Sequence, residues 1–309
     1  MTTVHIEGMG LTGSMLAVLL DQHGIEFTWH DIDLDRVAWP ASTGAIYPSG
    51  STKFGPDEEC REVWAGWHDI GLFGPVLERS LFVFSTKSAP HGGRYSVQET
   101  VDGLRIAGES SYHLNAQQLV KATRERFADR RAVKQHGDVD TYIVAHGWGS
   151  RLSHVYWGWM RLVELDYDQD TYGYSPFMGG GRPAFYFREG RFIMAYAYPV
   201  PNTPYWYAGS NIIKQAGDAR RSLDMPGKYA RWKDNFERLG NGGVAVKAEH
   251  GYIEGWRPAA AKDDEAWIRR SGNVLTVRPL WNSGIRHFPK QWVGIAHQLA
   301  IPFLATGNS

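Results

Sequence analysis

The glycines at positions 8, 10 and 13 constrain this chain more than any other feature. They follow a short apolar run, Val4 to Ile6, and precede a run of helix formers from Ser14 to His23 that stops at Gly24. Ile25 to His30 then reads as a second strand, ending at Asp31. Strand, turn, helix and strand within about 30 residues make a βαβ unit. In such a turn the first glycine permits the bend and the second lets a pyrophosphate approach the backbone, while the third allows close packing of helix on strand. Leu11 and Thr12 complete the turn, where the N–H groups and dipole of the helix N-terminus favour phosphate. Asp31 holds the position from which a carboxylate accepts hydrogen bonds from ribose hydroxyls, with Asp33 as second choice. A dinucleotide ligand is therefore expected. The fingerprint alone leaves NAD and FAD open.

The chain has 309 residues, which suggests about two domains. Lys+Arg and Asp+Glu both number 33, so no global field draws the protein to nucleic acid or an anionic membrane. Apolar residues at 43% and charged residues at 21% exclude disorder, collagen and coiled coil as descriptions of the whole chain. A single cysteine, Cys60, excludes an intramolecular disulfide and fits a reducing compartment. Apolar stretches such as Met15 to Leu20 are too short to cross a bilayer, and no basic segment precedes an apolar one at the start. A cytoplasmic protein without a membrane partner is expected. The 13 Trp, 15 Tyr and 13 Phe either fill a core or line a pocket for a flat ligand. The twelve histidines form no metal-ligand spacing, so no metal site is expected.

Further helices are expected over 56–70, 116–127 (capped by Asn115), 226–239 and 292–299, and Cys60 falls in the first of these, read as a surface helix. Strands are expected over 81–85, 140–145, 184–187, 192–198, 205–213, 244–253 and 275–277. The expected fold class is α/β. A Rossmann-like domain over 1–85, 105–155 and 245–309 is interrupted by a mainly antiparallel β substrate domain over 86–104 and 156–244.

Four segments carry a resemblance to the D-amino-acid oxidase and glycine oxidase superfamily of FAD enzymes. They are the N-terminal βαβ with Asp31; Ala41-Ser42-Thr43-Gly44-Ala45-Ile46; Tyr142-Ile143-Val144-Ala145-His146-Gly147-Trp148; and Gly255-Trp256-Arg257-Pro258, followed by Asn282-Ser283-Gly284-Ile285 before a final helix. The resemblance implies FAD as cofactor. It implies cofactor contacts at Asp31 and Ile32, at Ser42, Thr43, Gly44 and Ala45 beside the flavin ring, near Val133, and at Gly147. A last set, Asn282, Ser283, Gly284 and Ile285, would lie beside the flavin N1–C2=O edge. There the family has Gly-His-x-x-x-Gly, whereas this chain has Leu280-Trp281-Asn282-Ser283-Gly284.

The resemblance further implies that Arg257 clamps a substrate carboxylate, a role suited to a planar bidentate guanidinium. The alternative is a salt-bridged structural arginine. Tyr198 matches the strand end where relatives place a substrate tyrosine, and the alternative is one more core aromatic. Arg286 and His287 are expected on a solvated helix face, and His146 as a packed residue. The implied chemistry is oxidation of an amine of amino-acid type (glycine, a D-amino acid or an N-alkylglycine) by hydride transfer to flavin N5. The resulting imine is hydrolysed. If the amine binds neutral, no strong side-chain base is required. Three alternatives stay open: the same chemistry on an N-alkylglycine carried by a modified uridine or thymidine base, a flavin hydroxylase read from Ala145 to Arg151, and a non-catalytic binding protein.

Overall fold

The computed structural model describes residues 2–31, 39–46, 58–85, 97–101, 104–107, 111–146, 154–168, 181–189, 193–209, 213–215, 225–259, 268–277 and 285–301. The chain opens with β1 (Val4–Glu7), α1 (Leu11–Gln22) and β2 (Phe27–His30), as the glycine spacing predicts. A two-residue strand β3 (Ala45–Ile46), helix α2 (Glu58–Asp69) and strand β4 (Leu77–Ser85) follow. Next come β5 (Val97–Val101), β6 (Leu104–Ala107), β7 (Ser111–Leu114), α3 (Ala116–Arg126) and β8 (Thr141–Val144). Asn115 caps α3 as expected, accepting from the Gln118 N–H at 3.1 Å. The second half holds β9 (His154–Tyr167), β10 (Pro183–Glu189), β11 (Ile193–Pro199), β12 (Trp206–Gly209), β13 (Ile213–Gln215) and α4 (Met225–Leu239). Strands β14 (Val244–Ala259), β15 (Ile268–Ser271) and β16 (Val274–Val277) and helix α5 (Phe288–Gln298) complete it.

Two sheets organise these elements. The smaller has the order β15-β16-β8-β1-β2, and β1 runs parallel to both β2 and β8. The larger runs β13-β9-β12-β11-β10-β4-β6-β5, with β14 on β9 and the β3–β7 pair attached through β4. Its pairs are antiparallel apart from β10 with β4. β14 pairs along the length of β9, so the larger sheet continues through Val244–Ala259. β14 has 16 residues against 14 in β9, and two register shifts take up the difference while the ladder still pairs the backbone of both strands.

Side-chain alternation divides the larger sheet into two faces. Leu81 and Val83 of β4, Phe185 and Phe187 of β10, and Ala195 and Ala197 of β11 pack with Tyr229, Trp232, Phe236 and Leu239 of α4. The other face carries Phe82, Phe84, Ala184, Tyr186, Tyr196 and Tyr198, clustered with Ala45 of β3. A third core lies between β1, α1 and α5 and includes Trp64, Trp67 and Trp292. Among the described residues, six tryptophans (Trp29, Trp64, Trp67, Trp206, Trp232 and Trp292) are buried in these cores. Trp29, Trp64, Trp206 and Trp232 are buried, and each indole N–H donates to a backbone carbonyl at 2.7–3.2 Å.

Three sequence expectations fail on burial. Cys60 is buried rather than on a surface helix. Arg286 and His287 precede α5 and are buried, not solvated. In each case the local pattern looked polar because the covering residues come from elsewhere in the chain; Trp64, for example, donates to the Arg286 carbonyl across 222 positions.

The face of the smaller sheet opposite α1 is polar. His5 Nδ1 lies 2.8 Å from Thr28 Oγ1 and its Nε2 lies 2.7 Å from His30 Nδ1. Glu7 accepts from the Tyr142 hydroxyl and pairs with His146. Burial works to raise the Glu7 carboxyl, but the Tyr142 hydrogen bond and the His146 charge outweigh it and hold it below its ordinary value. Burial, with His30 alongside, pushes His5 down to about 4. Unfolded, that imidazole titrates near 6.5, so between these values the unfolded chain binds more protons and stability falls as pH falls. The depressed Glu7 acts in the same direction at lower pH. The urea midpoint is therefore expected to drop from pH 7 to pH 5, and to drop less in His5→Gln. Equal drops in the two proteins would show that His5 does not govern this window.

Candidate functional site

The turn between β1 and α1 leaves no room for side chains at its third glycine. A Cβ on Gly13 would stand 2.0 Å from the Gly8 carbonyl oxygen and 3.4 Å from Ile6 Cγ2. Helix and strand therefore meet backbone to backbone, and Gly10, immediately before α1, offers no side-chain cap. Leu11 and Thr12 form the first turn of α1. The first-turn N–H groups and the positive helix end point to the carboxyl edge of the parallel strands, where ligands of open α/β sheets bind.

Asp31 stands at that edge. Its Oδ1 accepts from the Met9 N–H at 3.2 Å, and its Oδ2 pairs with Arg124 of α3. Arg124 in turn donates from Nε to the Met9 carbonyl at 3.1 Å, and its guanidinium carbon lies 5.8 Å from the Trp39 ring centroid. Trp39 Cδ1 is also the nearest atom to the position a Gly10 Cβ would take, at 3.6 Å. Turn, acid, arginine and indole thus form one unit. An ionised carboxylate has about four lone-pair sites, so these two contacts leave capacity for ribose hydroxyls. Arg124 escaped the sequence reading because it lies 93 residues beyond Asp31, and Trp39, eight residues beyond Asp31, belongs to no motif.

The segment read as flavin-facing is tightly built. Gly44 has φ +59°, and a Cβ there would stand 1.8 Å from the Leu114 carbonyl oxygen. Leu114 N–H donates to the Gly44 carbonyl at 3.0 Å, so the segment is clamped onto β7. The Gly44 and Ala45 N–H groups also lie within 3.3 and 3.4 Å of the Ser42 and Thr43 hydroxyls. This brings Ala45 against the aromatic face of the larger sheet, where Tyr196 and Tyr198 stack at 4.6 Å.

The remaining sequence-derived positions separate. Tyr198 is buried in that aromatic face. Val133 is 82% exposed, one residue beyond Ala132, whose N–H donates to the Trp29 carbonyl beside β2. Arg257 lies in β14 with its backbone opposite Tyr156 of β9. Ile285 precedes α5 and packs on the core of the smaller sheet. Ile32, Gly147, Asn282, Ser283 and Gly284 lie outside the described residues. Among the described residues no group of three or more His, Cys, Asp or Glu is placed to hold a metal, and no helix is long and apolar enough to cross a membrane.

No protein-family model and no curated protein sequence matches the chain. Solved structures do match. Glycine oxidase from Bacillus cereus ATCC 14579 superposes with a TM-score of 0.64 at 12% identity, over 97% of this chain and 96% of that one. L-α-glycerophosphate oxidase from Mycoplasma pneumoniae, with FAD bound, gives 0.65 at 13% identity, over 100% of this chain and 99% of that one. Glycerol-3-phosphate dehydrogenase from Bacillus halodurans, complexed with FAD, gives 0.56 at 14% identity. The chain spans only 66% of that protein's length. This chain has the fold shared by these proteins, as its resemblance to the glycine oxidase superfamily implies.

Proposed function

We propose that this protein is an FAD-dependent oxidoreductase acting on a C–N bond of an amino-acid-type amine. The observation that carries this reading is the glycine oxidase fold over nearly the whole chain, combined with a β1–α1 turn that carries no side chain at Gly8, Gly10 and Gly13. The turn from Gly8 to Gly13 would hold the pyrophosphate. Asp31 would take the adenosine ribose, positioned by Met9 and Arg124. Ser42 to Ala45 would lie beside the isoalloxazine, with Asn282 to Ile285 at its N1–C2=O edge and Gly147 and Val133 as further contacts. Bound FAD supplies the two-electron acceptor for the substrate C–H bond.

The chain's own part is orientation and exclusion of water. Arg257 holds the substrate carboxylate and so fixes which C–H bond is presented, and Tyr198 shapes the aromatic wall on the side of the larger sheet. The larger sheet, with residues 86–104 and 156–244, serves as the substrate side, and the smaller sheet as the cofactor side. We infer a cytoplasmic location, since a chain with a single cysteine forms no intramolecular disulfide and suits a reducing compartment. Replacing Arg257 with Met is expected to raise the KM for a carboxylated amine about a hundredfold while FAD stays bound, since a charge-assisted bidentate pair is lost. An unchanged KM rejects the clamp.

The fold is shared with a glycerophosphate oxidase, so the residues rather than the fold must separate C–N from C–O chemistry. The deciding experiment is an anaerobic absorbance titration of the FAD-loaded protein. The panel holds glycine, sarcosine, D-alanine, an N-glycyl-methyl uridine nucleoside and glycerol 3-phosphate. Bleaching by a free amine supports the reading, and bleaching by the nucleoside alone moves the substrate onto a nucleobase. Bleaching by glycerol 3-phosphate alone overturns amine oxidation, and failure to bind FAD overturns the whole assignment.

A further inference from the structure

One fully buried imidazole on the aromatic face lacks a partner for half of its hydrogen-bonding capacity. His113 lies in the middle of β7, opposite Ala45 of β3 on one side and Glu78 of β4 on the other. It is 0% exposed. Its Nδ1 lies 3.0 Å from Ser80 Oγ, which is itself buried, while its Nε2 has no hydrogen-bond partner among the described residues. Its ring stands 5.4 Å from that of Tyr198. A buried polar atom left without a partner costs about 1–3 kcal/mol, a cost that a hydrogen bond from a bound group would remove.

The surrounding charges restrict what that ligand group can be. Glu78, the cross-strand neighbour, is held by Arg182 through two hydrogen bonds of 2.9 and 2.7 Å. Arg182 donates its remaining N–H groups to the carbonyls of Val200, Thr203 and Tyr205. Neither charge faces His113 unpaired. Burial, with the Arg182 charge beside it, also holds the imidazole neutral, down to about 3. A neutral ring cannot serve as counter-ion to a carboxylate, and Arg257 already has that role in the proposed function. A substrate of amino-acid type has one other polar end, its amine.

We propose that His113 is a substrate-binding residue whose Nε2 accepts a hydrogen bond from the substrate amine beside Tyr198, with Nδ1–H donating to Ser80 Oγ. This assignment rests on the amine-oxidase reading and adds the residue that recognises the amine. It places the amine against a neutral acceptor, which suits the free-base form, from whose adjacent carbon hydride leaves.

The test uses the FAD-loaded protein and compares sarcosine with acetate, its amine-free counterpart, by the change each makes to the flavin spectrum under anaerobic conditions. His113→Leu is expected to weaken sarcosine binding about tenfold, the loss of one buried hydrogen bond, and to leave acetate binding within about twofold. His113→Gln, which keeps a polar atom near the same place, is expected to recover most of the loss. Should the leucine variant not fold, His113→Gln and Ser80→Ala carry the test, each with a smaller loss confined to sarcosine. Unchanged sarcosine binding in a loaded variant overturns the assignment. Equal weakening of sarcosine and acetate does so too, because it marks a merely structural histidine. If the wild-type flavin responds to no amine at all, the amine-oxidase reading falls first and this assignment with it.

Discussion

Gly13→Ala is expected to be among the most damaging single-methyl additions in the molecule. The new Cβ would stand 2.0 Å from the Gly8 carbonyl oxygen and 3.0 Å from its carbon. Both are backbone atoms of the turn that begins the fold, so no side chain can rotate out of the way. Either α1 moves off β1 or the turn opens. Overpacking of this kind costs about 1–3 kcal/mol, and more where only backbone can yield. A lower melting temperature is therefore expected in the apoprotein, before any ligand is added. Gly10 provides the contrast. Its backbone, at φ −78° and ψ −160°, suits any residue, and an added Cβ meets only Trp39 Cδ1 at 3.6 Å, an ordinary contact. Gly10→Val is expected to melt within a few degrees of wild type, yet to bind FAD at least about a hundredfold more weakly, a loss of about 3 kcal/mol. The pair separates two roles that the glycine spacing merges. Gly13 serves packing, and Gly10 serves the approach of a pyrophosphate. Melting curves with and without FAD decide the matter. A Gly13→Ala protein that melts like wild type refutes the packing role, and a fully loaded Gly10→Val protein refutes the fingerprint.

That the β1–α1–β2 unit was legible follows from its locality. Each feature that specifies it, from the glycine spacing to the apolar helix and the acid at the strand end, lies within one short segment. The longest pairing in the protein was not legible. β9 and β14 align Tyr167 with Val244 and His154 with Ala259, with register shifts between Val246 and Ala248 and between Glu249 and Tyr252. Strand preference depends on the partner and the face, and a strand whose partner residues lie 77 to 105 positions away carries little signal of its own. The expected strand over 244–253 therefore stopped short of Gly255-Trp256-Arg257-Pro258, which continues in β14. The candidate site divides in the same way. Asp31 was readable from its distance to Gly8, whereas Arg124, which braces it, looks in sequence like any basic residue near a helix C-terminus. His113 sits in a four-residue strand with no alternation to draw notice, since Ser111, Tyr112, His113 and Leu114 are all buried.

Arg182→Ala is expected to cause the largest loss of stability outside the glycine turn. This guanidinium is the junction of three elements. It makes a bidentate pair with Glu78 at the start of β4, and it binds the carbonyls of Val200, Thr203 and Tyr205 in the turn joining β11 to β12. Its carbon also lies 5.0 Å from the Trp206 ring centroid. Truncation leaves a half-buried carboxylate without its partner and the Thr203 carbonyl without its donor, while the Val200 and Tyr205 carbonyls keep only the Thr203 hydroxyl and the Val200 N–H. Removing one side of such a network costs about 3 kcal/mol or more, although the intact pair contributes far less than that net. For a chain of this size that lowers the melting temperature by about 5 °C or more. Glu78→Gln should be milder, because an amide still accepts one bond from Arg182 and leaves no unpaired anion. The double variant Glu78→Gln with Arg182→Met removes both charges and should recover part of the loss, since the cost of the single arginine truncation lies mainly in the stranded carboxylate. Equal melting temperatures for Arg182→Ala and wild type would show that the junction carries no weight. A double variant no more stable than Arg182→Ala would assign the loss to the three carbonyls instead. The same junction faces the β7 strand that presents His113, so a loosened Arg182 should also weaken binding at the aromatic face, measurable as poorer substrate response in the loaded protein at temperatures well below melting.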